Sequence, residues 1–266
     1  MPRFEPHPSR RTAVVTGASS GIGAATAAAL AAAGHPVALG ARRADRCEEL
    51  AAAIRADGGE AVALPLDVTD GDTVKAFAVA AADQLGPVEV LVSCAGEVEA
   101  GLVHELDPAE FARQVEVNLI GAHRMTSAVV PGMVARKRGD VVFVSSDVVR
   151  APRPRMGAYV AAKNAVDGMA RAMQMELEGT GVRVSVVRPG QTMSGMGMDW
   201  DAAAVQAVLD DWVHWGLARH PHFLRPEDVA AAVMAIVSTP RGTHITLLEI
   251  EPEAPIETTA PPGGTS

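Results

Sequence analysis

Seven short apolar runs, most of them followed by an alanine-rich stretch of helical length, constrain this 266-residue chain more than any other feature. The runs are TAVVTG (12–17), HPVALGA (35–41), EAVALPLDV (60–68), VEVLVSCAG (88–96), DVVFVSS (140–146), VRVSVVRPG (182–190) and THITLLEI (243–250). Runs of this length, bounded by Gly, Pro or polar residues, read as strands buried on both faces. Between them, GIGAATAAALAAAG (21–34, closed by Gly34), ADRCEELAAAIRADGG (44–59), 70–85 and RPEDVAAAVMAIVS (225–238) read as helices. In the second of these Asp45 and Glu48 have the spacing of a capping box. Strands separated by helices imply right-handed crossovers and hence an α/β fold, a doubly wound parallel sheet with helices on both faces.

One domain over 12–253 accounts for the whole pattern, with 1–11 expected as a disordered lead and 254–266, rich in Pro, Gly and Thr, as a disordered tail. Residues 191–224 break the rhythm after the sixth strand and gather Met193, Met196, Met198, Trp200, Trp212 and Trp215, so they are expected to form an irregular substrate lid. Aromatic residues are only 3% of the chain while apolar residues are 48%, which means a core of small and β-branched side chains. A net charge of −9 argues against a nucleic-acid surface. Cys47 and Cys94 lie too far apart in sequence to suggest a disulfide framework or a metal motif, and are expected to be small core residues in a reducing compartment. His214, His220 and His222 have no acidic partner at catalytic-metal spacing, so no metal is expected. With no apolar run of membrane-spanning length, a cytoplasmic protein is expected.

The loop TGASSGIG (Thr16 to Gly23) joins the first strand to the first helix. Gly17, Gly21 and Gly23 permit a tight turn that lets a pyrophosphate approach the helix N-terminus, with Ser19, Ser20 and Ile22 between them. Further on, Tyr159 is the only tyrosine in the chain, and Lys163 follows it at i+4, on the same helix face. A bare pair of this kind is common. Ser146, at the end of the fifth strand and thirteen residues before Tyr159, makes it less ordinary, and Ser145 is its less suitable neighbour.

Together these motifs resemble the short-chain dehydrogenase/reductase family, from about Thr12 to Gly190 and more loosely to Pro252. The resemblance implies a Rossmann-type fold and a nicotinamide dinucleotide. It also implies that Ser146 holds a substrate oxygen, that Tyr159 is the acid/base and that Lys163 supports it. Asn118 would bind a water in the proton relay. Asp67 and Val68 would face adenine, Ala95 and Gly96 would let the backbone pass close to the cofactor, and Pro189, Gly190 and Thr192 would form the loop beside the nicotinamide. A homodimer or homotetramer is implied, often built through the helices carrying Asn118 and Tyr159, as is a small-molecule carbonyl or alcohol substrate. Where the family has Asn-Asn-Ala-Gly the chain has SCAG (Ser93 to Gly96), and Cys94 cannot supply the amide's hydrogen bonds.

The second strand ends on Gly40, Ala41, Arg42 and Arg43 rather than on the acid of an NAD site. Two cations at a helix start oppose its dipole unless an anion joins them, and the 2′-phosphate of NADP is such an anion. NADP(H) is therefore expected, with Arg42 the first candidate and Arg43 the second; NAD(H), served by Asp45, is the alternative. A phenol titrates near ~10, and a cation at ~4 Å in an effective dielectric of ~20 contributes about 4 kcal/mol. That is roughly three pKa units, so Lys163 is expected to draw Tyr159 toward neutrality. The expected activity is hydride transfer between a nicotinamide and a carbonyl or secondary alcohol. An NAD-dependent alcohol dehydrogenase and a non-catalytic dinucleotide sensor or scaffold are the competing readings.

Overall fold

The computed structural model describes residues 4–197, 200–217 and 220–256. Seven parallel strands form one sheet in the order β3-β2-β1-β4-β5-β6-β7. They are β1 (Thr12–Thr16), β2 (Val37–Ala41), β3 (Ala61–Pro65), β4 (Val88–Ser93), β5 (Gly139–Val144), β6 (Val182–Pro189) and β7 (Leu247–Ile250). The order reverses between β1 and β4, the point at which a doubly wound sheet opens a crevice at its carboxyl end. Each expected strand forms, one to four residues shorter than its apolar run at one or both ends.

Alternation along each strand supplies both cores. Val15, Leu39, Val92 and Val142 face one layer, where Leu30, Ile54, Val233 and Ile236 meet them. Val14, Leu91, Val141 and Phe143 face the other, where Phe77, Met125, Met133 and Val166 pack. The first layer is α1 (Gly21–Ala32), α2 (Ala44–Ala56) and, after the break in rhythm, α8 (Pro226–Val237). The second holds α3 (Gly71–Leu85), α4 (Pro108–Val115), α5 (Gly121–Ala135) and α6 (Gly157–Glu176). Asp70 caps α3 by accepting from the Asp72 backbone N–H at 2.8 Å. The capping box expected in α2 does not form: Arg43 occupies the N-cap position, Asp45 lies inside the first turn, and Glu48 pairs with Arg55 at 2.6 Å.

Two departures from the expected layout matter for the site. Between α4 and α5 the helix widens into a π turn, Glu116–Ile120, centred on Asn118. The segment expected to be irregular carries its own helix, α7 (Ala202–His214), capped by the Asp201 carboxylate on the Ala204 N–H at 2.7 Å. Met198 lies outside the described residues, as do 1–3 of the expected lead and 257–266 of the expected tail.

At the amino end of the sheet, His7 and Arg11 contact the folded domain, while Phe4, Glu5, Pro6, Ser9 and Arg10 are exposed. Arg11 is 2% exposed and bonds Asp140 at 2.5 Å and the carbonyls of Glu89 and Val237 at 3.3 and 3.2 Å. Arg183 binds the same Asp140 at 2.6 Å, Arg138 closes on Glu89 at 2.7 Å, and His7 touches Arg183 at 2.9 Å. No described helix is long and apolar enough to cross a membrane.

Candidate active site

At the opposite, carboxyl end two cavities share a wall. The larger, about 690 Å³, runs over the glycine loop and is lined by Gly17, Ser19, Ser20, Ile22, Gly23, Arg42, Arg43, Asp67, Val68, Ala95 and Gly96 among others. Gly17 and Gly21 have φ of +69° and +53°, a backbone that favours glycine. A Cβ on Gly17 would stand 2.9 Å from the Ala95 Cα, so the loop and the end of β4 approach closely only because that atom is missing. Gly21 is not on the cavity wall and serves the turn.

Arg43 has the closer hold on the loop. Its Nη2 donates to the Ser19 and Ser20 hydroxyls at 3.0 and 2.8 Å, while Arg42 lines the same corner without such bonds. The order expected between the two arginines is thus not the order of their contacts. Asp67 accepts from the Thr69 hydroxyl and N–H at 2.7 and 2.9 Å, and those bonds hold its carboxyl below the usual range.

Cys94 leaves no gap in the sheet end. The Thr16 hydroxyl accepts from the backbone N–H groups of Cys94 and Ala95 at 3.0 and 2.9 Å, tying the end of β1 to the chain just after β4. Burial pushes the Cys94 thiol up to about 11. Cys47, as expected, is wholly buried in the core.

The smaller cavity, about 320 Å³, shares Ile22, Cys94, Gly96, Ser194 and Met196 with the first. Ser146, Tyr159, Lys163, Pro189, Gly190 and Thr192 line it. Lys163 donates to the Val144 carbonyl at 2.9 Å and sits 5.4 Å from the centre of the Tyr159 ring. The expected drop in the phenol's pKa is not what this arrangement produces. Burial pushes Tyr159 up to about 12, against a hydrogen bond from Ser146 that favours the phenolate, and burial brings Lys163 down to about 8. The simple Coulomb estimate left out the desolvation of both groups. Ser145 is turned to a structural task, bonded to Asp167, which also holds Arg188.

Asn118 lines neither cavity. The π turn aims its amide so that Nδ2 donates to the carbonyls of Glu97 and Gln114, both at 2.8 Å, leaving the buried Oδ1 without a partner. A Cβ on Gly96 would lie 2.7 Å from that Oδ1 and 3.7 Å from Lys163 Nζ, so glycine here keeps the way between them open. Thr192 donates to the Gly190 carbonyl at 2.9 Å and tightens the loop.

Of the aromatic and methionine residues expected in the lid, Met196, Trp200 and Trp212 line the smaller cavity, whereas Met193 and Trp215 are exposed. Trp200 is anchored by its Nε1 on the Val98 carbonyl at 3.3 Å. His214, His220 and His222 do not line the cavity; Phe223 does. Sequence reasoning missed Asp147 and Arg153, a buried ion pair in the cavity wall with Nη–Oδ distances of 2.8 and 2.5 Å. It also missed the tie by Thr16. The Thr16 tie forms only through tertiary structure, whereas Asp147 and Arg153 lie six residues apart in the segment between β5 and α6, a local spacing with no motif attached to it.

The seven-stranded doubly wound sheet thus carries a glycine loop at its switch point and a Ser-Tyr-Lys cluster beside it. The chain belongs to the short-chain dehydrogenase family, whose model matches residues 11–204. It is 40% identical over 245 residues to glycine betaine reductase ATRR of Emericella nidulans, covering 92% of this chain but only 19% of that enzyme. With 2,3-dihydro-2,3-dihydroxybenzoate dehydrogenase of Bacillus subtilis it shares 30% over 243 residues, 89% of this chain and 92% of the other. Among solved structures, an alcohol dehydrogenase of the archaeon Thermococcus sibiricus, complexed with 5-hydroxy-NADP, superposes with a TM-score of 0.78. It is 31% identical, over 91% of this chain and 96% of that one.

Proposed function

We propose that this chain is an NADP(H)-dependent oxidoreductase that reduces a small carbonyl compound to the alcohol, or runs the reverse, with Tyr159 as the acid/base. The observation that carries the reading is the shared wall between the two cavities. It puts the Ser146 and Tyr159 hydroxyls beside a cleft shaped by the glycine loop. The donor set fits a dinucleotide: glycine backbone and helix N-terminus for the pyrophosphate, Asp67 and Val68 for the adenine, and Arg43 with Ser19, Ser20 and Arg42 for a 2′-phosphate. Pro189, Gly190 and Thr192 would hold the nicotinamide end. NADPH, when bound, supplies the hydride.

The chain's own residues do the rest. Ser146 and Tyr159 bond the carbonyl oxygen and polarise it, and Tyr159 releases its proton to that oxygen. A phenol that burial holds up to about 12 is protonated at neutral pH, the form that reduction needs. Lys163 and the unpartnered Asn118 Oδ1 lie behind Tyr159 as a route for returning the proton through water. Residues 191–224 act as the lid. Val98, Val148, Trp200, Trp212 and Phe223 favour a substrate with an apolar body. The relatives' names point to unlike substrates, so the cavity is the better guide to substrate class. Assembly as a homodimer or homotetramer belongs to the same reading and is checked by light scattering.

The test is a fluorescence titration with NADPH and NADH on wild type, Arg42→Ala and Arg43→Ala, followed by a panel of carbonyl compounds. A preference for NADPH that weakens about tenfold or more in an arginine variant, corresponding to about 1.4 kcal/mol or more, supports the reading. Binding that favours NADH overturns the NADP assignment. Dinucleotide binding without any turnover overturns the enzymatic one.

A further inference from the structure

The wall of the smaller cavity contains a charged pair that the proposed reaction does not use. Asp147 follows Ser146 directly, and its Oδ1 accepts from the Ser146 hydroxyl at 3.1 Å. The same oxygen takes Arg153 Nη1 at 2.8 Å, while Oδ2 takes Nη2 at 2.5 Å. Both side chains are under a tenth exposed, and Arg153 Nε is buried without a partner. Above the guanidinium lies the ring of Trp212, its centre 5.0 Å from the Arg153 Cζ. Trp212 belongs to α7, which is joined to the loop ahead of α6 a second time, through Asp211 and Arg155 at 2.7 Å.

A carboxylate bonded to the serine of a Ser-Tyr pair is an awkward neighbour. It attracts the hydroxyl proton that should point at substrate, and its charge disfavours any phenolate formed beside it. We propose that Arg153 is a positioning residue whose pairing with Asp147 keeps this wall electrically neutral, so that Tyr159 parts with its proton beside a compensated pair rather than a bare anion. Trp212 of the lid helix holds the guanidinium in place. The inference rests on Tyr159 as the acid of the proposed function.

The charges that face the phenol are few. Lys163 comes from its own helix, Asp147 from the 3-10 turn that Ser146 caps just after β5, and Arg153 from the loop ahead of α6. Cys94, from the end of β4, is a neutral thiol at working pH because burial holds it up to about 11. Trp200 and Trp212 close the remaining side with apolar surface. Among these groups Asp147 and Arg153 act on the phenol with opposite sign, the first raising its pKa and the second lowering it.

Because Tyr159 is the chain's only tyrosine, its ionisation can be read without any turnover. The experiment is an alkaline titration of the tyrosinate near-ultraviolet band, or of tyrosine isotopically labelled at Cζ. Tryptophan fluorescence, followed in parallel, marks alkaline unfolding. Asp147→Asn is expected to ionise at least about one pH unit below wild type, a tenfold change in the equilibrium. Arg153→Met should move the other way, Arg153→Lys should stay near wild type, and Asp147→Asn with Arg153→Met together should return to it. If Arg153→Met fails to fold, Asp147→Asn and the double variant, which bury no lone carboxylate, carry the test. A side chain with a purely structural role would not give single-variant shifts of opposite sign that cancel in the double. The alkaline limb of kcat/KM for carbonyl reduction should follow the titration.

The inference is overturned if Asp147→Asn titrates with or above wild type, or if the double variant keeps the shift of Asp147→Asn. A wild-type protein that transfers no hydride to any carbonyl would defeat the proposed function but not the titration. An active enzyme whose phenol ignores Asp147 would do the reverse.

Discussion

The two ends of the sheet both bury charge, and they use it in opposite ways. At the amino end Arg11, Glu89, Arg138, Asp140 and Arg183 form a set in which each carboxylate meets two guanidinium groups. Burial alone would raise the Asp140 carboxyl, but Arg183 and Arg11 outweigh it and hold the pKa below the ordinary value. At the carboxyl end Lys163 has a single carbonyl partner, Asn118 Oδ1 has none, and burial sets the pKa of Tyr159. At the amino end buried charges face opposite charges, although Arg11 Nε and Glu89 Oε2 make no hydrogen bond; at the carboxyl end, among the described residues, Lys163 has no ion-pair partner and Asn118 Oδ1 no hydrogen bond. Buried polarity stabilises where opposite charge meets it and becomes reactive where its bonds are left for a ligand to complete.

The sharpest way to break this comparison is at Tyr159. Tyr159→Phe should lose about 10²- to 10⁴-fold in turnover while its melting temperature and NADPH titration stay close to wild type. A variant that turns over normally would remove the reactive end from the comparison. Asp140→Ala tests the other end, because it leaves Arg11 buried beside Arg183 with the carboxylate gone. The expected loss is about 3–5 kcal/mol of stability, read by urea denaturation, with turnover per folded molecule unchanged. A large loss of turnover in folded Asp140→Ala would mean that the two ends are not separable.

Thr16→Val sharpens the comparison from between the ends. It removes the acceptor for two backbone N–H groups at the cleft, so stability should fall by about 1–3 kcal/mol and NADPH binding should weaken with it. The smallest effect is expected in acid. His7 is pulled down to about 4, first by burial and then by Arg11, whereas an unfolded histidine titrates near 6.5. Its folded-state pKa is the lower one, so stability is complete above 6.5 and is lost as pH falls through that window toward 4. A thermal melt series over the window should show the decline, and His7→Asn should flatten it.

The parts of this molecule that could be read from its sequence are those that repeat or keep a fixed spacing. The strands were legible because both faces are apolar, and Ser146, Tyr159 and Lys163 because a strand end and a helix face place them at set intervals. The helix Ala202–His214 was hidden by the glycines, prolines and methionines around it, although its own AAAVQAVLDDWVH reads well in isolation. The amino-end network becomes visible only once strand order is known. Glu89, Asp140 and Arg183 are each the second residue of a strand, Arg11 lies just ahead of β1, and Asp140 stands in register with Arg183 across β5 and β6. The electrostatics of Tyr159 could not be read at all, since burial decides them and burial is a property of the whole fold.

The π turn at Glu116–Ile120 fixes something about chain length as well as about Asn118. One residue beyond α-helical pitch turns the helix on its amino side by about 100° relative to the helix on its carboxyl side. The two halves of one continuous helix can therefore face different neighbours: α4 packs on α6, while α5 packs on α3 and on β4 and β5. Deleting a single residue in this turn would restore an ordinary helix and keep its hydrogen bonds. It would also rotate α4 off α6 and carry the Asn118 amide away from Lys163. Along this rod the count of residues, and not only their identity, is what natural variation has to leave alone.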